Sequence, residues 1–137
     1  MYEFGKVSAD EALRLISKAI ELAQKINKHI AVAVTGPEGE LISFLRMDGA
    51  NPASAQIAQS KAYTSARDCK STRAQGEFMR NDKREQGYWT DSRITGFGGG
   101  LHIVQHGKVI GGIGVSGLSE EEDERIAREA IESVYSN

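Results

Sequence analysis

Gly96–Gly117 reads GFGGGLHIVQHGKVIGGIGVSG. A glycine-dense loop leads into a strand, His106-Gly107 supplies a two-residue turn, and a second strand thinned by glycines follows. A strand that gives up side chains lets another group approach its backbone closely. That group can be a ligand, a neighbouring helix or another subunit, and the functional question turns on which.

The flanking sequence supplies the rest of the frame. Ser8 followed by Glu11 forms a capping box, after which Leu13, Ile16, Ile20, Ala23 and Ile26 recur at helical spacing. Ile30–Thr35 alternates β-branched residues, GPEGE has turn chemistry, and Leu41–Met47 resumes a strand pattern, which together predict an antiparallel hairpin. From Pro52 onward Ala55, Ala58, Ala62 and Ala66 form a stripe of small residues on a helix able to sit tightly on a sheet or a partner helix. Ser71–Ser92 is polar and charged, predicting a short helix and an irregular excursion in which Tyr88 and Trp89 are the side chains expected to be buried. Ser119 with Glu120–Asp123 suits the N-terminal end of a last helix carrying Ile126, Ala127, Ala130, Ile131 and Val134 inward. With no regular alternation of strand and helix, an antiparallel sheet carrying helices, of α+β class, is expected. Nothing in the order calls for a second domain, so residues 1–137 are expected to form one.

Composition narrows the function classes. The formal net charge is −2, with mixed signs along the chain, so there is no broad basic field for a nucleic-acid backbone. No apolar run approaches a membrane span and the N-terminus lacks the order of a secretory signal, so a soluble, cytoplasmic protein is expected. One cysteine, Cys69, excludes an internal disulfide and the usual thiolate zinc spacings. The glycine loop lacks the Lys-Ser/Thr end of a P-loop and runs into a strand where a nucleotide fingerprint needs a helix. No Gly-x-Ser-x-Gly elbow is present for a serine hydrolase.

A polar anion pocket is the chemistry the remaining residues suggest. Gly98, Gly99 and Gly100 can present unpaired amides to a carboxylate or propionate. Arg46 and Asp48 end a strand beside a helix start, and Ile57, Lys61, Thr64 and Asp68 place amine, hydroxyl and carboxylate on one helical face. His102 and His106 would stand roughly 13 Å apart on an extended strand and cannot share one ion. His102, directly after the glycine loop, is the candidate iron ligand or general acid or base, provided its ring faces an enclosed pocket.

The combination of Arg46–Ala66 (RMDGANPASAQIAQSKAYTSA), the Gly96–Gly117 run and SEEEDERIA from Ser119 resembles the GlcG/HbpS family, which includes the C-terminal domain of PduO-type corrinoid adenosyltransferases. The resemblance implies a profilin-like or PAS-like fold with a five-stranded antiparallel sheet and flanking helices. It also implies a homo-oligomer, a dimer or a larger assembly of dimers, and binding of haem or a related tetrapyrrole. Arg46, Asp48, Lys61, Thr64, Gly98, Gly99, Gly100 and His102 are the residues expected to contact such a ligand, with His102 on the iron. The alternatives are a small lyase-type enzyme using His102, Lys61 and Asp48 on a carboxylated or aromatic hydroxylamine substrate, an accessory protein of diol or glycolate metabolism, and a purely structural role. This chain departs from the family in having His102 where proline usually follows GGL, and its first helix, from Ser8 to Lys28, lacks the histidine that some haem-binding relatives use there.

Overall fold

A computed structural model describes residues 1–135. Its elements are α1 (Ala9–Lys25), β1 (Ala31–Thr35), β2 (Leu41–Arg46), α2 (Pro52–Asp68), α3 (Thr72–Asn81), a 3-10 turn (Gln86–Trp89), β3 (Gly100–Gln105), β4 (Lys108–Ser116) and α4 (Glu120–Tyr135). The sheet is antiparallel throughout, in the order β2-β1-β4-β3. It has four strands, the number read from the residues, and not the five implied by the family. The N-terminal segment comes nearest to a fifth, with the Val7 amide donating to the Ile110 carbonyl at 3.0 Å, but at Ser8 the chain turns into the capping box of α1.

The sheet divides two unequal layers. Val32, Val34, Ile103, Ile113 and Val115 face α1 and α4, whose Leu15, Ile16, Ala19, Ile126 and Ala127 complete the main core. The other face carries Ala31 and Ala33 against Ala58 and Ala62 of α2. Large residues on one face and alanines on the other follow from how far each helix stands from the sheet.

The glycines of β4 explain the short distance on the α2 side. A Cβ on Gly114 would lie closer than 3 Å to the Ala58 carbonyl oxygen and the Ala62 amide, and one on Gly112 would lie 2.5 Å from the Ala62 carbonyl. The group admitted by the glycine strand is therefore a helix of the same chain, backbone against backbone. At the hairpin tip His106 and Gly107 have φ of 53° and 75°, the paired positive values of a tight turn matched to strand twist.

In the excursion, Tyr88 is 66% exposed, contrary to expectation. Trp89 is half-buried edge-to-face on Phe78, with ring centroids 6.0 Å apart, because a single 3-10 turn has no second layer to cover both rings.

Because the helix backbone lies where a Gly114 methyl would go, Gly114→Ala should lower unfolding free energy by about 2–3 kcal/mol. Gly87→Ala, where a Cβ meets nothing within 4 Å, should change it by less than about 0.5 kcal/mol. Urea denaturation of the two variants against wild type measures the difference.

Candidate functional site

Lys61 is the residue whose placement departs most from a solvent-facing site. It is 2% exposed, and its Nζ donates to the Val115 carbonyl at 2.8 Å and to Asp123 Oδ2 at 3.1 Å. Asp123, also 2% exposed, accepts from the Leu118 amide through Oδ1 at 3.1 Å, so one carboxylate serves both the helix start and the lysine. Burial pushes Lys61 below and Asp123 above their ordinary values, and their mutual attraction opposes both shifts. A lysine within an alanine stripe had to find such a partner, since a buried ammonium without one is prohibitive.

The glycine loop wraps this pair. Gly99 has φ of +126°, and a Cβ there would fall 2.6 Å from the Val115 carbonyl and 2.7 Å from Lys61 Nζ. Two of the amides expected to be free are engaged: Gly98 N–H donates to Glu120 Oε1 at 2.6 Å and Gly100 N–H to Thr72 Oγ1 at 2.8 Å. Thr64 is likewise internal, its Oγ1 accepting from the Thr95 amide at 3.0 Å. The helical face read as polar lining is mostly a buried seam, and only Asp68 on it borders a cleft.

Arg46 and Asp48 stand apart. The Arg46 Nε and Nη2 donate to the Ala50 carbonyl at 3.1 and 3.0 Å, closing the Met47–Ala50 turn, and Asp48 is exposed. They share an end of the sheet with the glycine loop but lie on the opposite edge, three strand spacings or roughly 14 Å away. Within one subunit the expected residues do not converge on one pocket.

His102 pairs with Gly112 and therefore projects to the α2 face of edge strand β3. Its Nδ1 is buried with no hydrogen-bond partner, as is Oε1 of the fully buried Gln75. Burial holds the imidazole below its usual value near 6.5.

Beside the glycine loop the structure opens a groove that sequence reasoning had not assembled. One part, of about 310 Å³, is walled by Gly76, Met79, Phe97 and Thr95; the adjoining part, of about 350 Å³, by Arg73, Glu77, Glu121, Glu124 and Arg128; Arg80, Gly96 and Glu120 border both. Its floor is a backbone contact, since a Cβ on Gly96 would sit 2.9 Å from the Gly76 Cα and 3.0 Å from Met79 Sδ. Phe97 is 58% exposed. Glu124 ties Arg73 at 3.1 Å to Arg128 at 2.6 Å, whereas Arg80 has no hydrogen-bond partner among the described residues. The available signal was Phe97, the one large apolar residue inside a run of glycines. The arginines come from α3 and α4 and carry no shared spacing. His102 borders neither part of the groove.

Two measurements check this arrangement. Lys61→Met strands the Asp123 carboxylate and should lower stability by about 3–5 kcal/mol, while adding Asp123→Asn, which still accepts from the Leu118 amide, should recover at least about 1 kcal/mol in a double-mutant cycle. For His102 the unfolded chain takes up a proton at higher pH than the folded one, so folded-state stability falls as pH drops from about 6.5 toward the depressed folded value. Denaturation between about pH 7 and 5.5 should show a shallower decline for His102→Gln than for wild type.

Comparison with known proteins agrees with this frame. The family model described as "Haem degrading protein HbpS-like" matches residues 7–132. Protein GlcG of Escherichia coli K12 is 34% identical over 110 residues, covering 80% of this chain and 81% of that protein. The crystal structure of a double-mutant HbpS from Streptomyces reticuli superposes with a TM-score of 0.90 at 27% identity, covering 100% of this chain and 92% of the other. That of a PduOC:heme complex does so with a TM-score of 0.87 at 26% identity, covering 96% of each. In the described residues no helix is long and apolar enough to cross a membrane. With the family model spanning residues 7–132 and the whole fold superposing on HbpS, the chain belongs to the HbpS-like family, that of GlcG and HbpS.

Proposed function

We propose that this protein binds haem or a related tetrapyrrole, as a homo-oligomer, in the groove beside the glycine loop. The observation that carries the reading is the likeness, over 96% of this chain, to a PduOC structure described as a heme complex. The groove has the chemistry such a ligand needs. Phe97 and Met79 offer apolar surface to a planar macrocycle, Gly76 and Gly96 meet without side chains at the floor, and Arg80, unlike Arg73 and Arg128, has a guanidinium not already tied to the surrounding glutamates and so suited to a propionate. His102 has an unspent Nδ1 lone pair but borders neither part of the groove, so it ligates iron there only if binding uncovers that buried nitrogen, and Gly98–Gly100 lie behind the groove's Arg73 and Glu120. Lys61 and Thr64 act behind that loop by holding α2, and Arg46 and Asp48 can reach the ligand only from a second subunit. Bound haem would supply a redox-active iron. The chain's own part is to stack against the ring, neutralise the propionates and exclude water from one face. An enzymatic role for Lys61 is disfavoured because its ammonium is already committed to Val115 and Asp123.

Haemin titrated into the purified protein should give a sharp stoichiometric endpoint in the Soret band, with Phe97→Ala and Arg80→Ala each weakening binding about tenfold and His102→Ala displacing the Soret maximum. Gradual drift without an endpoint would overturn the haem reading; an endpoint with an unchanged maximum in His102→Ala would remove that residue as ligand.

A further inference from the structure

Toward the other end of the strands a second cleft, of about 640 Å³, lies between the β1–β2 turn, the last turn of α2 and the segment after the 3-10 turn. Past Glu40, Tyr63 and Arg93 it continues into a recess of about 210 Å³ bordered by Gln56, Gln59 and Ser60. Tyr63 is 5% exposed, and two guanidinium groups lie over its ring: Arg93 at 4.0 Å and Arg67 at 4.9 Å from the centroid. The Tyr63 hydroxyl donates to Asp91 Oδ2, and Arg93 Nε donates to Asp91 Oδ1 at 3.2 Å. Arg67 Nη1 donates to the Glu38 carbonyl at 2.9 Å.

These contacts orient both guanidinium groups while leaving much of their donor capacity unused. Neither terminal nitrogen of Arg93, nor Nη2 or Nε of Arg67, has a hydrogen-bond partner among the described residues. Both guanidinium groups line the cleft, and an anionic group bound there would meet their unspent N–H donors. The acidic groups facing them differ in what they have left. Asp91 is committed to Tyr63 and Arg93, and Glu40 is paired with Lys6 at 3.0 Å. The Glu38 carboxylate has no hydrogen-bond partner among the described residues, and Asp68 uses only Oδ2, toward the Gln75 amide at 3.0 Å. The cleft is thus lined both by unspent donors, on Arg67 and Arg93, and by unspent acceptors, on Glu38 and Asp68. A phosphate dianion meets too many carboxylates here, and a simple cation meets two guanidinium groups.

We infer that this cleft binds a small α-amino acid zwitterion, its carboxylate on Arg67 and Arg93, its ammonium toward Glu38 and Asp68, and a polar uncharged side chain in the recess of Gln56, Gln59 and Ser60. The inference is independent of haem binding, which involves none of these residues. The probe is L-glutamine, followed through the Arg Nε–Hε resonances by NMR, alongside 4-carbamoylbutanoate, which lacks the ammonium, and 4-aminobutanamide, which lacks the carboxylate. Saturable shifts of Arg67 and Arg93 with glutamine are expected, weakened at least tenfold for each truncated compound and for Arg93→Gln, with haemin titration of that variant unchanged. Equal binding of 4-carbamoylbutanoate would overturn the zwitterion in favour of a plain carboxylate site. Absence of saturation by millimolar glutamine would overturn the site itself, and the ligand series decides this even if Arg93→Gln folds poorly.

Discussion

The backbone of α2 lies directly on the backbone of β4, and most of the other features of this molecule are consequences of that contact. Gly112 and Gly114 cannot carry a methyl group without displacing the Ala58 or Ala62 backbone, and the facing helix positions are alanine for the same reason. Such packing gains little apolar area per residue, so the burden of hydrophobic burial falls on the opposite face, where leucine, isoleucine and valine separate the sheet from α1 and α4. One layer gives adhesion and the other gives position. A helix held at backbone contact places every group along it with little play.

That closeness also fixes the fate of polar side chains on α2. Lys61 has no route to solvent past a helix seated so low, and its ammonium ends in the Val115 carbonyl and the Asp123 carboxylate. The glycine loop passes over this buried pair, which requires positive φ and no Cβ at Gly99. Gly98 and Gly100 give their amides to Glu120 and Thr72, so the loop is tied to α4 and α3 on either side of the crossing. Phe97, the residue just before this knot, has nowhere inward to go and stands in the groove. An exposed aromatic beside a rigid loop is thus a by-product of burying an ion pair, and it gives the groove its apolar wall.

The sequence made the layers legible because their signals are local. The capping box of α1, the alanine stripe of α2, the His106-Gly107 turn and the acidic start of α4 each specify their own element, and the antiparallel sheet follows from their order. The site was less legible because its parts meet only through packing. Lys61 and Asp123 are 62 residues apart, and a glycine run offering amides to an anion looks the same on paper as one whose amides are spent on Glu120 and Thr72. Arg46 and Asp48 were grouped with the glycine loop by chemistry, but the strand order puts two strands between them. The fifth strand came from resemblance alone, and no pattern in residues 1–8 called for it.

His102 illustrates how such a residue can be poised without a bound ligand. It faces α2 opposite Gly112, and the missing side chain on β4 leaves room for an imidazole on β3. Burying an unsatisfied N–H donor costs about 1–3 kcal/mol, and a protonated ring in the same place costs more. The state that avoids both keeps the proton on Nε2 and leaves a lone pair on Nδ1, in keeping with a pKa held below the usual imidazole range. A neutral imidazole with an unspent lone pair is the form that ligates metals. The glycine strand that admits the helix therefore also accommodates the imidazole of His102 on the neighbouring strand.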